Sequence, residues 1–357
     1  MKVSGMRNLK PAELSFSPGL NVFLGDNGQG KTSLLESIAV GTTSRSFRTD
    51  LSKDVIGYSE NDAMVDLDIA ELGLRRQQRV ILTRLRKNTL IDGKRINKVA
   101  EFALKTPIVV FHPLDLTLVS GPAALRRTLL DRVSLYLLPM SLQSLRSYLL
   151  ALRERQKLLV ERGVNAPGLD AFEQVISEHG AYVSSAHAQA AEQLTIAFSP
   201  IALSLFAANT IPEIRYVKSG TTDPKEFREK LKEYRSIDLY RGRASFGPQR
   251  DDITLYLNQS EARKHASQGQ QRLLALALKL SELSAIRRVR LQHPVLLLDD
   301  VVSELDPLRT VAVMDWVSRI KSQVFVTTTR LSDHEQGLFP TLPRRKFWVR
   351  DGVAEQE

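Results

Sequence analysis

A chain of 357 residues is long enough for two or three domains, or for one domain carrying a large insertion. Its composition, 43% hydrophobic and 25% charged, excludes wholesale disorder, and the lack of cysteine excludes disulfides and cysteine-ligated zinc and fits a reducing compartment. A formal net charge of +10 favours polyanionic partners, with scattered surface lysines as the plainer explanation.

The start, "MKVSGMRNLKPAELSF", has no apolar core of a signal peptide, and no apolar run approaches ~18 residues, so a cytoplasmic protein with no membrane partner is expected. "ELSFSPGLNVFLG" gives two strand-like runs broken by Pro18-Gly19, and "KTSLLESIAVG" reads as a helix ending at Gly41. Between strand and helix stands "GDNGQGKT", Gly25 to Thr32, which fits the phosphate loop G-x-x-x-x-G-K-S/T at every fixed position and in the required context. Its residues are Gly25, Asp26, Asn27, Gly28, Gln29, Gly30, Lys31 and Thr32. Glycines let backbone N–H groups face phosphate oxygens, and the helix N-terminus adds partial positive charge. Lys31 reaches the β- and γ-phosphates, and Thr32 ligates Mg²⁺, so ATP and Mg²⁺ are the expected cofactors.

Residues 62 to 110 read as strands, ending in "TPIVVFHP". Between Arg75 and Lys98 stand Arg75, Arg76, Arg79, Arg84, Arg86, Lys87, Lys94, Arg95 and Lys98 against the single acid Asp92, whose pairing with Gly93 marks a tight hairpin. Such a hairpin is either a surface for the phosphate backbone of DNA, with Arg84, Arg86 and Lys94 in contact, or a soluble sheet edge.

From about Leu125 to Phe206 the period becomes helical. Leu142, Leu145, Leu149, Leu152, Gln156 and Leu159 form one stripe, and Leu169, Phe172, Ile176, His179, Val183, Ala186 and Ala190 form another. Joined by "RGVNAPG", they predict a short antiparallel helical hairpin, with His179 packed in the seam. "KSGTTDPKEFREKLKEYRS" reads as surface loop and exposed helix, and "SFGPQRDDITLYL" leads into a further α/β stretch. That stretch is a helix from Gln270, the strand "PVLLLDD", a helix from about Leu308 and the strand "QVFVTTT", with "RDGVAEQE" as a frayed end.

Two constellations lie in this last stretch. "PVLLLDD" suits a central parallel strand that delivers Asp299 to a metal and Asp300 to an attacking water at its C-terminal edge. "SQGQQ", Ser267 to Gln271, opens the preceding helix. Ser267 is a good N-cap, worth ~1 kcal/mol. Capping does not ask for Gly269 or the glutamines, whereas a second phosphate-binding helix end does.

"SQGQQ" followed by "LLLDDVVSELD" resembles the signature motif, Walker B strand and D-loop of ABC-type ATPases. Together with "GMRNLKPAELSFSPGLNVFLGDNGQGKTSLLESI", "SRSFRT", "FHPLDLTLVSGPAALRRTLLD" and "GPQRDD", the chain from residue 1 to about 330 is similar to the RecF family of SMC-like ATPase heads with a short helical arm. The resemblance implies an α/β, ABC-type P-loop ATPase head with a strand-rich N-terminal lobe and an inserted helical hairpin. Its parts would be residues 1–112 and 241–357 of the head around an arm at 113–240.

It also implies a head-to-tail homodimer in which Ser267, Gln268, Gly269 and Gln270 of one chain cap the γ-phosphate on the other's phosphate loop, with Asp306 of the D-loop nearby. Arg7 would lie near the phosphates and Asn8 on the adenine side, while Arg45 and Arg48 fall on an arginine loop linking ATP to DNA or on a solvated basic loop. Asp300 stands where most ABC ATPases have Glu, which implies slow, DNA-stimulated hydrolysis; Glu304 is the other candidate for polarising the water. No glutamine follows "VVFHP" to make the usual Q-loop contact. The function implied is ATP-gated binding to double-stranded and gapped DNA at single-strand/double-strand junctions, with RecR, RecO and RecA as partners in loading the recombinase. Two alternatives stand beside it. An SMC-like end-tethering ATPase would lack junction preference, and a transporter ATPase subunit is disfavoured because "VFVTTT" lacks the switch histidine.

Overall fold

The computed structural model describes residues 1–71, 73–207, 209–300, 307–329 and 343–357. Glu304 and Asp306 lie outside the described residues. The chain forms two compact units, Met1–Leu116 with Leu291–Glu357, and Thr117–Arg290.

In the first unit, β1 (Lys2–Ser4) and β2 (Ala12–Glu13) precede β3 (Leu20–Leu24), whose five residues are all buried. The phosphate loop leads into α1 (Lys31–Thr43), which runs past the expected end at Gly41 and closes at Ser44, φ 58°. Gly41 marks a close approach instead of a stop: a Cβ there would lie 2.6 Å from Leu67 Cδ1. The strands β4 (Asp62–Glu71), β5 (Leu74–Thr83), β6 (Lys87–Ile91) and β7 (Lys94–Arg95) join β1 and β2 in an antiparallel sheet, order β2-β1-β4-β5-β6-β7. Its last turn is the expected one, Asp92-Gly93, with φ 49° and 76°. A helix, α2 (Val99–Lys105), interrupts the stretch read as strands and buries Phe102 and Ala103 before β8 (Ile108–Phe111).

The second unit contains α3 (Ala123–Leu137), α4 (Ser141–Arg162) and α5 (Leu169–Leu205), with α4 and α5 packed as the expected hairpin. The seam on α4 differs from the leucine stripe. Ser144, Tyr148, Ala151, Arg155 and Leu159 are buried, and Leu149 is 43% exposed. The cause is Arg155, whose fully buried guanidinium donates to Glu173 Oε1 at 2.9 Å and Asp238 Oδ2 at 2.7 Å. A charge network occupies the face that a purely apolar reading gave to leucine. On α5, Leu169, Ile176, Val183, Ala186 and Ala190 are buried as expected, but His179 is only half-buried. The packed histidine is His187, which bridges Asp251 and Asp131 at 2.9 and 2.8 Å.

Next come β9 (Pro212–Val217), α6 (Pro224–Glu233) and α7 (Arg235–Arg241). The segment expected to be loop and exposed helix packs Phe227 and Leu231 of α6 into the core. The unit ends with β10 (Asp252–Leu257), β11 (Ser260–Glu261), α8 (Ala262–His265) and α9 (Gln268–Arg290), the strands ordered β11-β10-β9. Helix α9 starts at Gln268, two residues before the expected position, and packs on α5 and α3. That packing groups residues 241–290 with the arm, a different line from the expected partition, which placed them with the phosphate loop.

The chain then returns to the first unit as β12 (Val295–Leu298), α10 (Pro307–Arg319), β13 (Val324–Thr328), β14 (Arg344–Arg350) and β15 (Val353–Gln356). The second sheet is ordered β15-β14-β3-β13-β12-β8, parallel except for the terminal hairpin. Phe23, Phe325, Phe347 and Leu297 fill the core against Leu34, Leu35 and Ile38 of α1. The predicted frayed end is therefore a paired hairpin. Its Asp351-Gly352 turn, φ 49° and 79°, repeats the Asp-Gly signature of residues 92–93.

Candidate functional site

The parallel strands β3, β13, β12 and β8 end along one edge, where α/β proteins bind ligands. Gly25, Gly28 and Gly30 adopt φ of 152°, 82° and 113°, which curls the phosphate loop around its own amides. Gly30 is the N-cap of α1, and no side chain caps that helix. Lys31 Nζ donates to the carbonyls of Gly25 at 2.6 Å and Asp26 at 2.9 Å, which holds the ammonium inside the loop. Burial lowers its pKa, against the opposing pull of Asp300, Asp26 and Asp299.

Asp299 arrives at the same edge because its N–H donates to Phe111 O, continuing the pairing of β12 with β8. Thr32 Oγ1 at 2.9 Å and Thr327 Oγ1 at 2.8 Å both donate to Asp299 Oδ1. The carboxyl is buried; desolvation raises its pKa, opposed by the hydrogen bonds from Thr327 and Thr32. Asp300 follows in a left-handed conformation, φ 54°, and its N–H donates to Thr327 Oγ1 at 2.8 Å. These residues line a cavity of about 630 Å³ together with Arg7, Asn8, Asn27 and Arg48. A hydroxyl and a carboxylate oxygen converging beside a caged lysine are a hard-donor set suited to Mg²⁺ and a triphosphate.

The other expected residues divide. Asn8 Nδ2 donates to Gly28 O at 3.2 Å and Asn8 Oδ1 accepts from Ser33 Oγ at 2.9 Å, so Asn8 braces the loop. Arg7 lies at the cavity but is bound to Glu36 by two bonds of 2.8 Å, which raise its pKa. Arg48 Nη1 reaches the same carboxylate at 3.3 Å, and Arg45 is exposed. Arg84 and Arg86 occupy the turn before β6, and Lys94 opens β7 beyond the turn that follows it; all three are exposed, at opposite ends of β6. Arg76 and Arg79 are tied to Glu71 and Asp66, and thus belong to the sheet's own structure. In the second unit, Ser267 Oγ accepts from Gln270 N at 3.3 Å while Gln270 Oε1 accepts from Ser267 N at 2.9 Å. This is a capping box. Gln271 Nε2 donates to Ala266 O at 3.0 Å, so two of the glutamines have local roles that the sequence reading denied them.

Glu36, Thr327 and the terminal hairpin were missed. Glu36 is fully buried on α1, and an acid inside such a helix was a signal that could have been read. Thr327 lies in "VFVTTT", a stretch that the sequence marks only by its lack of a switch histidine. The hairpin donates Gly352 N to Gln29 O at 3.0 Å and Asp351 N to Gln29 Oε1 at 2.6 Å, and therefore props the phosphate loop from behind.

A phosphate loop facing a strand-end carboxylate pair, on a parallel sheet flanked by an antiparallel one, defines an ABC-type ATPase head of the SMC kind. The model of the RecF/RecN/SMC N terminal domain matches residues 1–337, and curated relatives share about a third of their residues with nearly the whole chain, so the chain belongs to the RecF family. The DNA replication and repair protein RecF of Streptococcus equi subsp. zooepidemicus is 32% identical over 342 residues, covering 94% of this chain and 92% of that protein. The protein of the same name from Geobacter sulfurreducens is 32% identical over 342 residues, 92% of each. Among solved structures, the recombination mediator protein RecF with ATP is 28% identical at a TM-score of 0.87, covering 100% of this chain and 96% of that one. The Smc head domain of Pyrococcus furiosus, 17% identical at 0.56 and covering 100% and 94%, shares the fold. Among the described residues no helix is long and apolar enough to cross a membrane.

Proposed function

We propose that the protein is an ATP-gated DNA-binding protein of recombinational repair and replication. The observation that carries this reading is the convergence of Thr32 Oγ1 on Asp299 Oδ1, 2.9 Å apart, beside Lys31 in the cavity at the sheet edge. Relatives named for DNA replication and repair, and the recombination mediator protein RecF solved with ATP, support the biological assignment. The amides of the loop and of the uncapped start of α1 bind phosphates, and Lys31 exchanges its two carbonyl partners for β/γ-phosphate oxygens. Thr32 and Asp299 would hold Mg²⁺, which supplies neutralisation of the charge on those oxygens. Asp300, or Glu304, orients the attacking water and accepts its proton.

On this reading Ser267, Gln268, Gly269 and Gln270 close over the γ-phosphate held by a second copy, so ATP drives homodimer formation. Hydrolysis is slow and acts as a timer. Arg45, Arg48, Arg84, Arg86 and Lys94 supply cations for DNA. Gapped DNA with a single-strand/double-strand junction is the preferred ligand, and RecR, with RecO, completes the machinery that loads RecA. The reading next in line, an end-tethering ATPase without junction preference, shares every feature of the cavity.

Sedimentation of the protein with and without ATP, on gapped and on blunt duplex DNA, tests both. The dimer is expected only with ATP, with gapped DNA outcompeting blunt duplex and affinity falling with salt at a log–log slope of about −0.9 per phosphate contacted. Equal competition by the two DNAs selects the end-tethering reading, and a nucleotide-independent oligomer overturns the gate. Charge reversal at Arg84, Arg86 and Lys94 that leaves the slope intact moves the contacts to Arg45 and Arg48.

A further inference from the structure

The core claims one face of the hairpin formed by β14 and β15. Phe347 and Val349 are buried there, and Arg345 on the same side donates to Ser15 O at 2.7 Å. Strand residues alternate between faces, so Arg344, Lys346, Trp348 and Arg350 share the other face. The register places Glu355 opposite Trp348 and Val353 opposite Arg350. On this face Trp348 is 53% exposed and Val353 42% exposed. A single exposed apolar side chain is ordinary on a protein surface. An indole set between cations on a rigid strand is not.

The strand beneath Trp348 is held on every side. It pairs with β3 along one edge and with β15 along the other. Gly25 approaches it so closely that a Cβ there would lie 2.2 Å from Val349 O. The turn beyond it, Asp351-Gly352, is tied to Gln29. The backbone is thus fixed while half of the indole stands in water. Residues two apart on a strand are separated by ~6.6 Å, so Lys346 and Arg350 flank the ring. The Arg350 side chain is 90% exposed and lies 3.8 Å from Asp351, and Lys346 reaches Glu357 at 3.3 Å. Exposed pairs of this kind contribute little, which leaves both cations able to serve another anion. Glu355, across from the ring, works against a polyanion and keeps the affinity of this face modest.

An exposed π-face with a cation on either side along one line matches a chain of bases and phosphates. The bases of a duplex are stacked on one another and present only their edges, whereas unpaired bases present their faces. We propose that Trp348 is a stacking platform for unpaired bases, with Lys346 and Arg350 holding the flanking phosphates, so that this face of the hairpin binds single-stranded DNA. The proposal rests on the reading of the protein as one that binds gapped DNA, and it gives the single-stranded part of the gap a place of its own. Trp348 does not line the ATP cavity, so the platform acts on DNA and not on the bound nucleotide.

Titrations of the full chain with a short oligothymidine and with a blunt duplex test it, read by anisotropy of labelled DNA and by tryptophan fluorescence. Oligothymidine is expected to quench the wild-type signal, and duplex is not. Trp348→Phe should lose that quenching and keep most of the affinity, since the other tryptophan, Trp316, is half-buried on α10. Trp348→Ala should lose roughly tenfold in oligothymidine affinity while duplex affinity stays within about twofold of wild type. Arg350→Gln should flatten the log–log salt slope for oligothymidine by about 0.7, the share of one phosphate on a single strand. ATP affinity is the folding control, and it should hold in every variant because the Asp351-Gly352 turn keeps its grip on Gln29. The platform is overturned if Trp348→Ala binds oligothymidine like wild type, if both DNAs weaken alike, or if quenching survives in Trp348→Phe; DNA binding elsewhere on the protein then stands. If wild-type protein binds neither DNA, the DNA reading fails and the platform with it.

Discussion

Two helices begin at turns that carry glycine and small polar residues, and they treat the amides of their first turn in opposite ways. Helix α1 starts after Gly30, φ 113°, and no side chain accepts from its first amides. Helix α9 starts after Ser267, whose hydroxyl accepts from Gln270 N while Gln270 Oε1 accepts from Ser267 N. A side-chain cap stabilises a helix by about 1 kcal/mol, and where none is present the first amides stay open to an anion. On the proposed reading the first turn of α1 is an anion site complete within one chain. The start of α9 is locally satisfied, and only exposed Gln268 and half-buried Gly269 remain as residues that capping does not ask for. A motif match weighs these two starts alike, whereas hydrogen bonds separate them.

The largest effect expected on this contrast is that of Lys31→Ala. It removes the side-chain cation that the loop cages, and ATP affinity measured by calorimetry should fall roughly 100-fold or more. Wild-type affinity would end the phosphate-loop assignment. Ser267→Arg breaks the contrast from the other side. If the turn only caps α9, the variant loses about 1 kcal/mol of stability and assembles normally. If it completes a partner's site, the variant still binds ATP through Lys31 and Thr32 but neither dimerises nor hydrolyses. Mixing it with Lys31→Ala then restores partial ATPase, because one composite site joins the intact loop of one chain to the intact signature of the other.

How much of this was legible differs by region, for physical reasons. The phosphate loop was readable because its chemistry is local: glycine freedom, a lysine and a hydroxyl lie within eight residues of sequence, Gly25 to Thr32. Asp299 was readable because a buried strand ending in carboxylates constrains both burial and direction. Glu36 was not, since its meaning comes from Arg7, Ser46 and Arg48 converging on it from outside α1. The seam of the arm was misplaced for a related reason. Leucine spacing predicts an apolar face, but Arg155 and Glu173 are drawn inside by each other and by Asp238, which no periodicity reveals. The terminal hairpin, by contrast, was legible and overlooked: Asp351-Gly352 carries the same signature that was read correctly at Asp92-Gly93.

A smaller effect separates turnover from both helix starts. Asp300→Asn keeps the backbone bond to Thr327 Oγ1 and the shape of the side chain, and removes the group that accepts a proton. Hydrolysis should slow roughly 100-fold while ATP binding and assembly persist, so the dimer outlives its normal span on DNA. Unchanged hydrolysis transfers the role to Glu304. Asparagine also accepts the left-handed backbone at this position, φ 54°, so backbone strain does not mimic the result.

The smallest effect sharpens the contrast most. Gln270 was expected among the nucleotide-binding residues of the signature, yet its Oε1 is engaged with Ser267 N at 2.9 Å. Gln270→Ala removes that half of the capping box and leaves Ser267 free to serve the Gln270 amide. If the side chain is structural, the variant loses a few tenths to about 1 kcal/mol of stability, read as a drop of about 1–4 °C in the unfolding midpoint. ATP-dependent dimerisation, measured where both proteins are folded, should stay within about twofold of wild type, since a capping box acts within one chain. The opposite pattern, an unchanged midpoint with dimerisation weakened tenfold, would mean that Gln270 leaves Ser267 and turns to the partner's nucleotide. The two starts would then be alike in function after all, with the capping box of α9 as the resting form of a second anion site.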